Sequence, residues 1–197
     1  MFGGCSLTYK DKTIDSKKIH SKRIWTLLEC LITYRNKKIS QNDLIELLYP
    51  EDKSETPLSA LKTLVHRARA VLDELNYMDS KSIILQCSGG YIWNPDIPLV
   101  IDTEDFENTI KKADLIDTDV NTKLHLLLAS LDLYKGDFLP DSIMETWALS
   151  INAYYRFLYM DTVKLALRLL SESNKFNDVI SVAQKANKKD TYEESLY

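Results

Sequence analysis

The chain has 197 residues, enough for one large domain or two modest ones, and its net charge of −4 argues against a general nucleic-acid binder. The charge is uneven: residues 1–97 hold 14 Lys and Arg against 12 Asp and Glu, whereas residues 98–197 hold 11 against 17. A small positive excess on one surface suffices for a specific DNA contact, and the acidic half should avoid phosphate.

From the start, Phe2-Gly-Gly-Cys-Ser-Leu-Thr-Tyr-Lys-Asp-Lys-Thr-Ile-Asp15 alternates apolar and polar residues about Lys10-Asp11, which predicts short antiparallel strands. Ser21 is a candidate cap for a helix with Ile24, Leu27, Leu28 and Leu31 on one face, and Cys30 there reads as a core thiol. Ser40-Gln-Asn-Asp43 has the form of a capping box with Asp in place of Glu, leading into Leu44, Ile45, Leu47 and Leu48. Pro50 stops that short helix.

Thr56-Pro57 then opens a helical run over Leu58–Leu75, with Pro57 in the first turn, where its missing N–H costs nothing, and Thr56 as the cap. At about 100° per residue, Leu61, Leu64, Val65, Ala68, Leu72 and Leu75 share one face. Ser59, Lys62, Thr63, His66, Arg67 and Ala70 lie opposite, with Arg69 beside them. Donors and small apolar groups on that face suit entry into a DNA groove, where Arg and Lys pair with guanine edges or phosphates and Ser and Thr serve either. Asp73 and Glu74 would repel phosphate at the far end. Next comes Ser82-Ile-Ile-Leu-Gln-Cys-Ser-Gly-Gly-Tyr-Ile-Trp-Asn-Pro95, read as a β-hairpin. Ile83, Leu85, Tyr91 and Trp93 are its strand residues, and Gly89 or Gly90 supplies the positive φ of the turn. A cationic, hydroxylated helix joined to a tight hairpin predicts a winged helix, in a domain ending near Pro98.

From Asp102 the periodicity is helical. Asp102 is a candidate cap for a helix with Phe106, Ile110 and Ala113; a second helix runs from about Val120 to Lys135, with Gly136 as its C-terminal cap. Lys135-Gly-Asp-Phe-Leu-Pro140 reads as a loop, and a long helix runs from Ile143 to Leu170. Trp147, Tyr154, Tyr155 and Tyr159 have the spacing of helix-packing residues. Residues 160–193 fit one tetratricopeptide-like repeat, with Ala166, Phe176, Ala183 and Ala186 locking a helix pair and Asn174 at the turn, although Asp190-Thr191 stands where the repeat ends in Pro. Glu193–Tyr197 reads as the opening of a further helix, so a domain truncated at its C-terminus is expected.

These residues, in this order, resemble a known pairing of domains. Phe2-Gly3-Gly4, Leu44-Ile-Glu-Leu-Leu-Tyr-Pro50, Ala60-Leu-Lys-Thr-Leu-Val-His-Arg-Ala-Arg-Ala-Val-Leu72 and Gly90-Tyr91 resemble the OmpR-type winged-helix DNA-binding domain. Asp102-Thr-Glu-Asp-Phe106, Leu133-Tyr-Lys-Gly-Asp-Phe-Leu-Pro140 and Trp147 resemble the bacterial transcriptional activation domain. Together they resemble the SARP type of transcription factor over nearly the whole chain. The resemblance implies an α+β winged helix over residues 1–98 (short N-terminal strands, three helices and a C-terminal hairpin wing). An all-α, tetratricopeptide-like activation domain over 99–197 follows. It also implies a helix 58–75 in the major groove, promoter direct repeats read by pairs of molecules, and contact with RNA polymerase. The family's wing often carries an Arg where Gln86, Cys87 and Ser88 stand here, so Gly89, Gly90 and Tyr91 are expected to be structural.

Catalysis has no motif to rest on. There is no Gly-x-Ser-x-Gly, no phosphate loop ending in Gly-Lys-Ser/Thr and no His-Glu-x-x-His. Cys5, Cys30 and Cys87 form no Cys-x-x-Cys, the three His are scattered, and no metal or other cofactor is expected. No signal peptide and no apolar run of ~18 residues is evident, so a cytoplasmic protein is expected, with no membrane partner. The expectation is a non-enzymatic, sequence-specific transcriptional regulator, most simply an activator, bound to double-stranded promoter DNA. In it Lys62, Thr63, His66 and Arg67 meet bases or phosphates and Ser59 and Arg69 anchor the backbone, while the helical half contacts polymerase or a second copy. The rival is a helical-repeat signalling scaffold whose winged domain binds protein; salt separates the two, because phosphate contacts weaken steeply with ionic strength.

Overall fold

The computed structural model describes residues 1–16, 19, 21–50 and 56–189. Among them the fold is mixed α/β, with seven α-helices and two small antiparallel sheets. The chain divides into two compact units, one of Cys5–Leu99 and the other of Met1–Gly4 together with the residues from Val100 onward.

In the first unit, β1 (Ser6–Tyr9) pairs with β2 (Lys12–Asp15) around a turn in which Lys10 takes φ +53°. Three helices follow: α1 (Lys22–Thr33), α2 (Gln41–Leu48) and α3 (Pro57–Asp73). The reason α2 starts where it does is visible in its cap, since Ser40 Oγ accepts from the Asp43 N–H at 3.0 Å. Ser21 holds the corresponding place before α1 with extended backbone but makes no side-chain bond to the helix. Pro57 opens α3 as expected. The helix ends at Asp73, two residues short of Leu75, because Asn76 turns left-handed at φ +52°.

The second sheet has the order β3-β5-β4, from β3 (Ile39–Ser40), β4 (Ile84–Cys87) and β5 (Gly90–Trp93). Ile83 lies outside the strand predicted for it, buried between a 3-10 turn over Ser80–Ser82 and β4. The two glycines of the hairpin do different work. Gly89 supplies the positive φ, +72°, while Gly90 lies so close to β3 that a Cβ there would fall 2.2 Å from the Ile39 carbonyl oxygen. Leu27, Leu28 and Leu31 of α1, Leu44 of α2 and Leu61 and Leu72 of α3 are fully buried together with Ile84 and Tyr91. Each such side chain contributes roughly 1.5–3 kcal/mol of burial, which is what holds three short helices on a three-stranded sheet.

The other unit contains α4 (Asp102–Asp114), α5 (Val120–Leu133), α6 (Thr146–Glu172) and α7 (Phe176–Lys189). Three expectations change here. Asp102 is the first residue of α4, behind Ile101 as N-cap, and its carboxylate is turned to the chain's first residues: it accepts from the Phe2 N–H at 2.9 Å and the Met1 amino group at 2.5 Å. Gly136 does not cap α5, which ends at Leu133; at φ +153° it sits in the following loop against Gly3, whose own Cβ would lie 3.2 Å from the Lys135 carbonyl oxygen. The long helix begins at Thr146, not Ile143.

The first four residues were expected within a domain running to residue 98, and they belong instead to the helical unit. Gly3 N–H donates to the Asp137 carbonyl at 2.9 Å, the Leu139 N–H donates to the Met1 carbonyl at 3.0 Å, and Phe2 bridges Phe138. Phe2 is buried in a ring cluster, with centroids 5.4 Å from Phe106, 4.7 Å from Tyr134 and 5.2 Å from Tyr155. Strand-like alternation over residues 2–15 carries no information about which unit buries that ring.

Asn174 turns the chain from α6 to α7 at φ +57°. Ala166 and Ala186 are buried and Ala183 is half-buried, but Phe176 is 60% exposed and does not lock the helix pair. Tyr155 and Tyr159 are buried, Trp147 is half-buried and Tyr154 is exposed. At the end of α7, the Lys189 ammonium donates to the Tyr134 carbonyl and lies 3.5 Å from that of Leu131. It thereby meets the negative end of α5 and lies against the rings of Tyr134 and Tyr159. The predicted further helix at Glu193–Tyr197, and Asp190-Thr191, lie outside the described residues. No helix among the described residues is long and apolar enough to cross a membrane.

Candidate nucleic-acid interface

The face of α3 that carries the candidate residues is defined by what the opposite face buries. Leu61, Leu64, Val65, Ala68, Val71 and Leu72 turn inward at helical spacing. The same geometry leaves Ser59, Lys62, Thr63, His66, Arg67 and Ala70 exposed along one side. The structure therefore brings five of the six candidate contact residues onto a single accessible strip. Thr63 Oγ1 donates to the Ser59 carbonyl at 3.0 Å, so its hydroxyl faces a ligand as an acceptor. Asp73, at the far end of the helix, holds the Ser80 N–H at 3.2 Å and anchors the 3-10 turn that leads to the hairpin.

Arg69 is placed differently from the role expected of it. Its Nη2 donates to the Ile84 carbonyl at 2.6 Å, and its Nε is buried with no partner among the described residues. The guanidinium is thus engaged with the first strand of the hairpin and braces α3 against it. Helical spacing puts Arg69 at the edge of the exposed strip, and only the fold brings Ile84 within reach.

The hairpin turn, Ser88-Gly89, is fixed at both carbonyls: Lys38 Nζ donates to Ser88 O at 3.0 Å and the Gln41 N–H to Gly89 O at 2.9 Å. Lys38 is exposed, so a cation stands at a hairpin tip whose own residues are neutral. This residue was missed in the sequence. The signal that finds it is the pairing of Ile39 with Tyr91 and of Ser40 with Gly90, which lays the preceding lysine beside the turn. Tyr91 is buried, and with Gly89 and Gly90 it shapes the hairpin without reaching outward. Among the described residues no group of three or more His, Cys, Asp or Glu is placed to hold a metal ion.

The fold is shared with a solved protein structure. The solved structure of Mycobacterium tuberculosis EmbR in complex with a low-affinity phosphopeptide is similar over 99% of this chain, at a TM-score of 0.76 and 15% sequence identity. The chain spans about half of that protein, 51% of its length. No protein-family model matches the chain, and no curated protein does.

Proposed function

We propose that the chain is a transcriptional regulator of the SARP type, in which α3 and the β4–β5 hairpin form a winged helix that reads double-stranded promoter DNA. The observation that carries this reading is the exposed strip of α3. Ser59, Lys62, Thr63, His66 and Arg67 present donors and acceptors on one side of a helix whose other side is core. Lys62 and Arg67 pair with phosphates or guanine edges, Thr63 and His66 add shorter-range polar contacts, and Ser59 meets the backbone near the helix start. Arg69 acts indirectly, by holding the hairpin to the helix. The fold likeness to EmbR supports the coarse reading of a regulator.

The helical unit is read as a tetratricopeptide-like activation domain acting on RNA polymerase or on a second copy bound to a direct repeat, in the cytoplasm. Leu149, Phe157, Phe176 and Ile180 are exposed apolar residues of its last two helices and favour a role in protein contact. We read the chain as acting by binding, without catalysis or cofactor.

The test is an anisotropy titration against DNA from upstream of the protein's own gene, at two salt concentrations. Binding that is specific and salt-sensitive, and that is lost in the Lys62→Ala/Arg67→Ala double variant, is the expected result. A folded protein that binds no fragment overturns the reading in favour of a scaffold whose winged unit takes a protein ligand.

A further inference from the structure

The hairpin beside α3 carries no charge of its own: residues 82–95 contain no Lys, Arg, Asp or Glu. The turn between α1 and β3 has the opposite character. It holds Arg35, Lys37 and Lys38, and residues 30–42 include no acid. The nearest carboxylates along the chain are Glu29, buried in α1, and Asp43, in the first turn of α2.

Lys37 and Lys38 are exposed, and each ammonium is held in place on one side. Lys38 Nζ donates to Ser88 O at 3.0 Å, and Lys37 Nζ lies 4.7 Å from the centroid of the Tyr34 ring. Neither makes an ion pair among the described residues. An ammonium has three donors, so Lys38 keeps N–H groups for a ligand after serving Ser88. A lysine already held in this way loses less side-chain freedom on meeting an anion than a mobile one does.

These cations share a frame with the exposed strip of α3. Arg69 ties α3 to Ile84 at the base of the hairpin, and Lys38 and the Gln41 N–H tie the turn and the start of α2 to its tip. Strand β4 is four residues long, which sets the tip roughly 13 Å from the Arg69 bond. A helix lying in a DNA groove leaves the flanking phosphates to groups that stand beside it. The neutral hairpin has no cation to offer them, and the α1–β3 turn has two.

We propose that Lys37 and Lys38 form a second contact point, on the phosphate backbone flanking the DNA segment met by α3, in place of a cation within the hairpin. This rests on the reading of α3 as the DNA-contacting helix. Being a contact to phosphate, it adds affinity equally for any sequence and sets register without specifying bases.

The test uses the full chain in anisotropy titrations with a labelled duplex from upstream of its own gene and a shuffled duplex of the same composition. Between about 50 and 200 mM salt, the affinity of Lys37→Gln/Lys38→Gln should fall roughly ten-fold less than that of the unsubstituted chain, the loss of two phosphate contacts. The change should be the same on both duplexes, and Lys37→Arg/Lys38→Arg should restore the original slope. Because Lys38 also bonds the hairpin, Lys37→Gln alone is measured as well, and it should remove about half of the slope change. A weakened affinity with an unchanged salt slope makes the lysines structural and overturns the contact. So does an unchanged slope in a chain whose binding is still lost in Lys62→Ala/Arg67→Ala, and in that case the reading of α3 stands. A folded chain that binds neither duplex overturns the reading of α3 and this contact together.

Discussion

Arg69 and Ile84 are joined by a 2.6 Å hydrogen bond from a guanidinium to a buried strand carbonyl, which makes the helix proposed to read DNA and the hairpin beside it one mechanical piece. Arg69→Ala leaves that carbonyl without its donor and should cost roughly 1–3 kcal/mol, read as a lowered midpoint in denaturant unfolding. DNA affinity should fall as well, with an unchanged dependence on salt. A salt slope reduced by about one would instead place Arg69 on a phosphate.

Lys62 and Arg67 should behave in the opposite way. Both are exposed on α3, so Lys62→Ala and Arg67→Ala should each change stability by no more than about 0.5 kcal/mol. Their effect should be on binding: about 1–3 kcal/mol where the side chain meets a base edge, or a shallower salt slope where it meets a phosphate. Paired melting curves and anisotropy titrations separate them from Arg69.

The adjacent hairpin glycines should respond unequally to the same substitution. At Gly90 a methyl group would drive into the Ile39 carbonyl at 2.2 Å, so Gly90→Ala should break the β3–β5 pairing and unfold the hairpin at a lower temperature. Around Gly89 there is open space and only the left-handed φ to accommodate. Gly89→Ala should cost about 1 kcal/mol and Gly89→Asn less, because Asn tolerates that conformation. Backbone amide shifts of Ile39 and Tyr91 would report the difference.

Phe2→Ala should destabilise the helical unit. The ring lies among Phe106, Tyr134 and Tyr155, and removing a buried phenyl group costs roughly 3–5 kcal/mol. Hydrogen exchange should show the loss in α4 and α6. Loss of protection centred on β1 and β2 would contradict the assignment of residue 2 to that unit.

Cys30 gives the stability an alkaline limit. Burial, with the nearby Glu29 charge adding and Lys37 opposing, pushes its thiol up to about 12 from an ordinary 9.0. Between those values the unfolded chain releases the proton and the folded chain keeps it. The contribution is therefore complete below pH 9 and is lost as pH rises toward 12. Unfolding free energy measured from pH 8 to 10.5 should fall less steeply in Cys30→Ala. In the native protein a thiol reagent should modify Cys87, half-buried on β4, well before Cys30.

The local signals in the sequence carried far. The Ser40 cap, Pro57, the left-handed Asn174, a positive-φ glycine at Gly89 or Gly90, and the buried stripe of α3 were all legible, because each is set by residues within a few positions of one another. The failures share a different cause. Phe2, Asp102 and Gly136 are explained by one another across about 100 residues of sequence, and neither periodicity nor capping rules reach that far. Within the candidate site, the exposed strip was legible from helical spacing alone. The bracing role of Arg69 and the place of Lys38 at the hairpin turn were not, since both depend on which strand lies beside which.

Because Met1–Gly4 close onto α4 and the Lys135–Pro140 loop, the Cys5–Leu99 unit is topologically an insertion between two parts of one domain. On the ribosome the host's opening segment emerges first, yet its docking site is complete only after α6 has been made. Phe2 must therefore wait through the synthesis of an entire second unit. If the insert folds early, it shortens the loop that has to close and speeds the host; if it is slow, the host's ring cluster stays open. Exchange of the Cys5–Leu99 unit between proteins of this build accordingly needs two junctions, one after Gly4 and one before Val100, since a single cut at residue 99 would carry away a piece of the host's core.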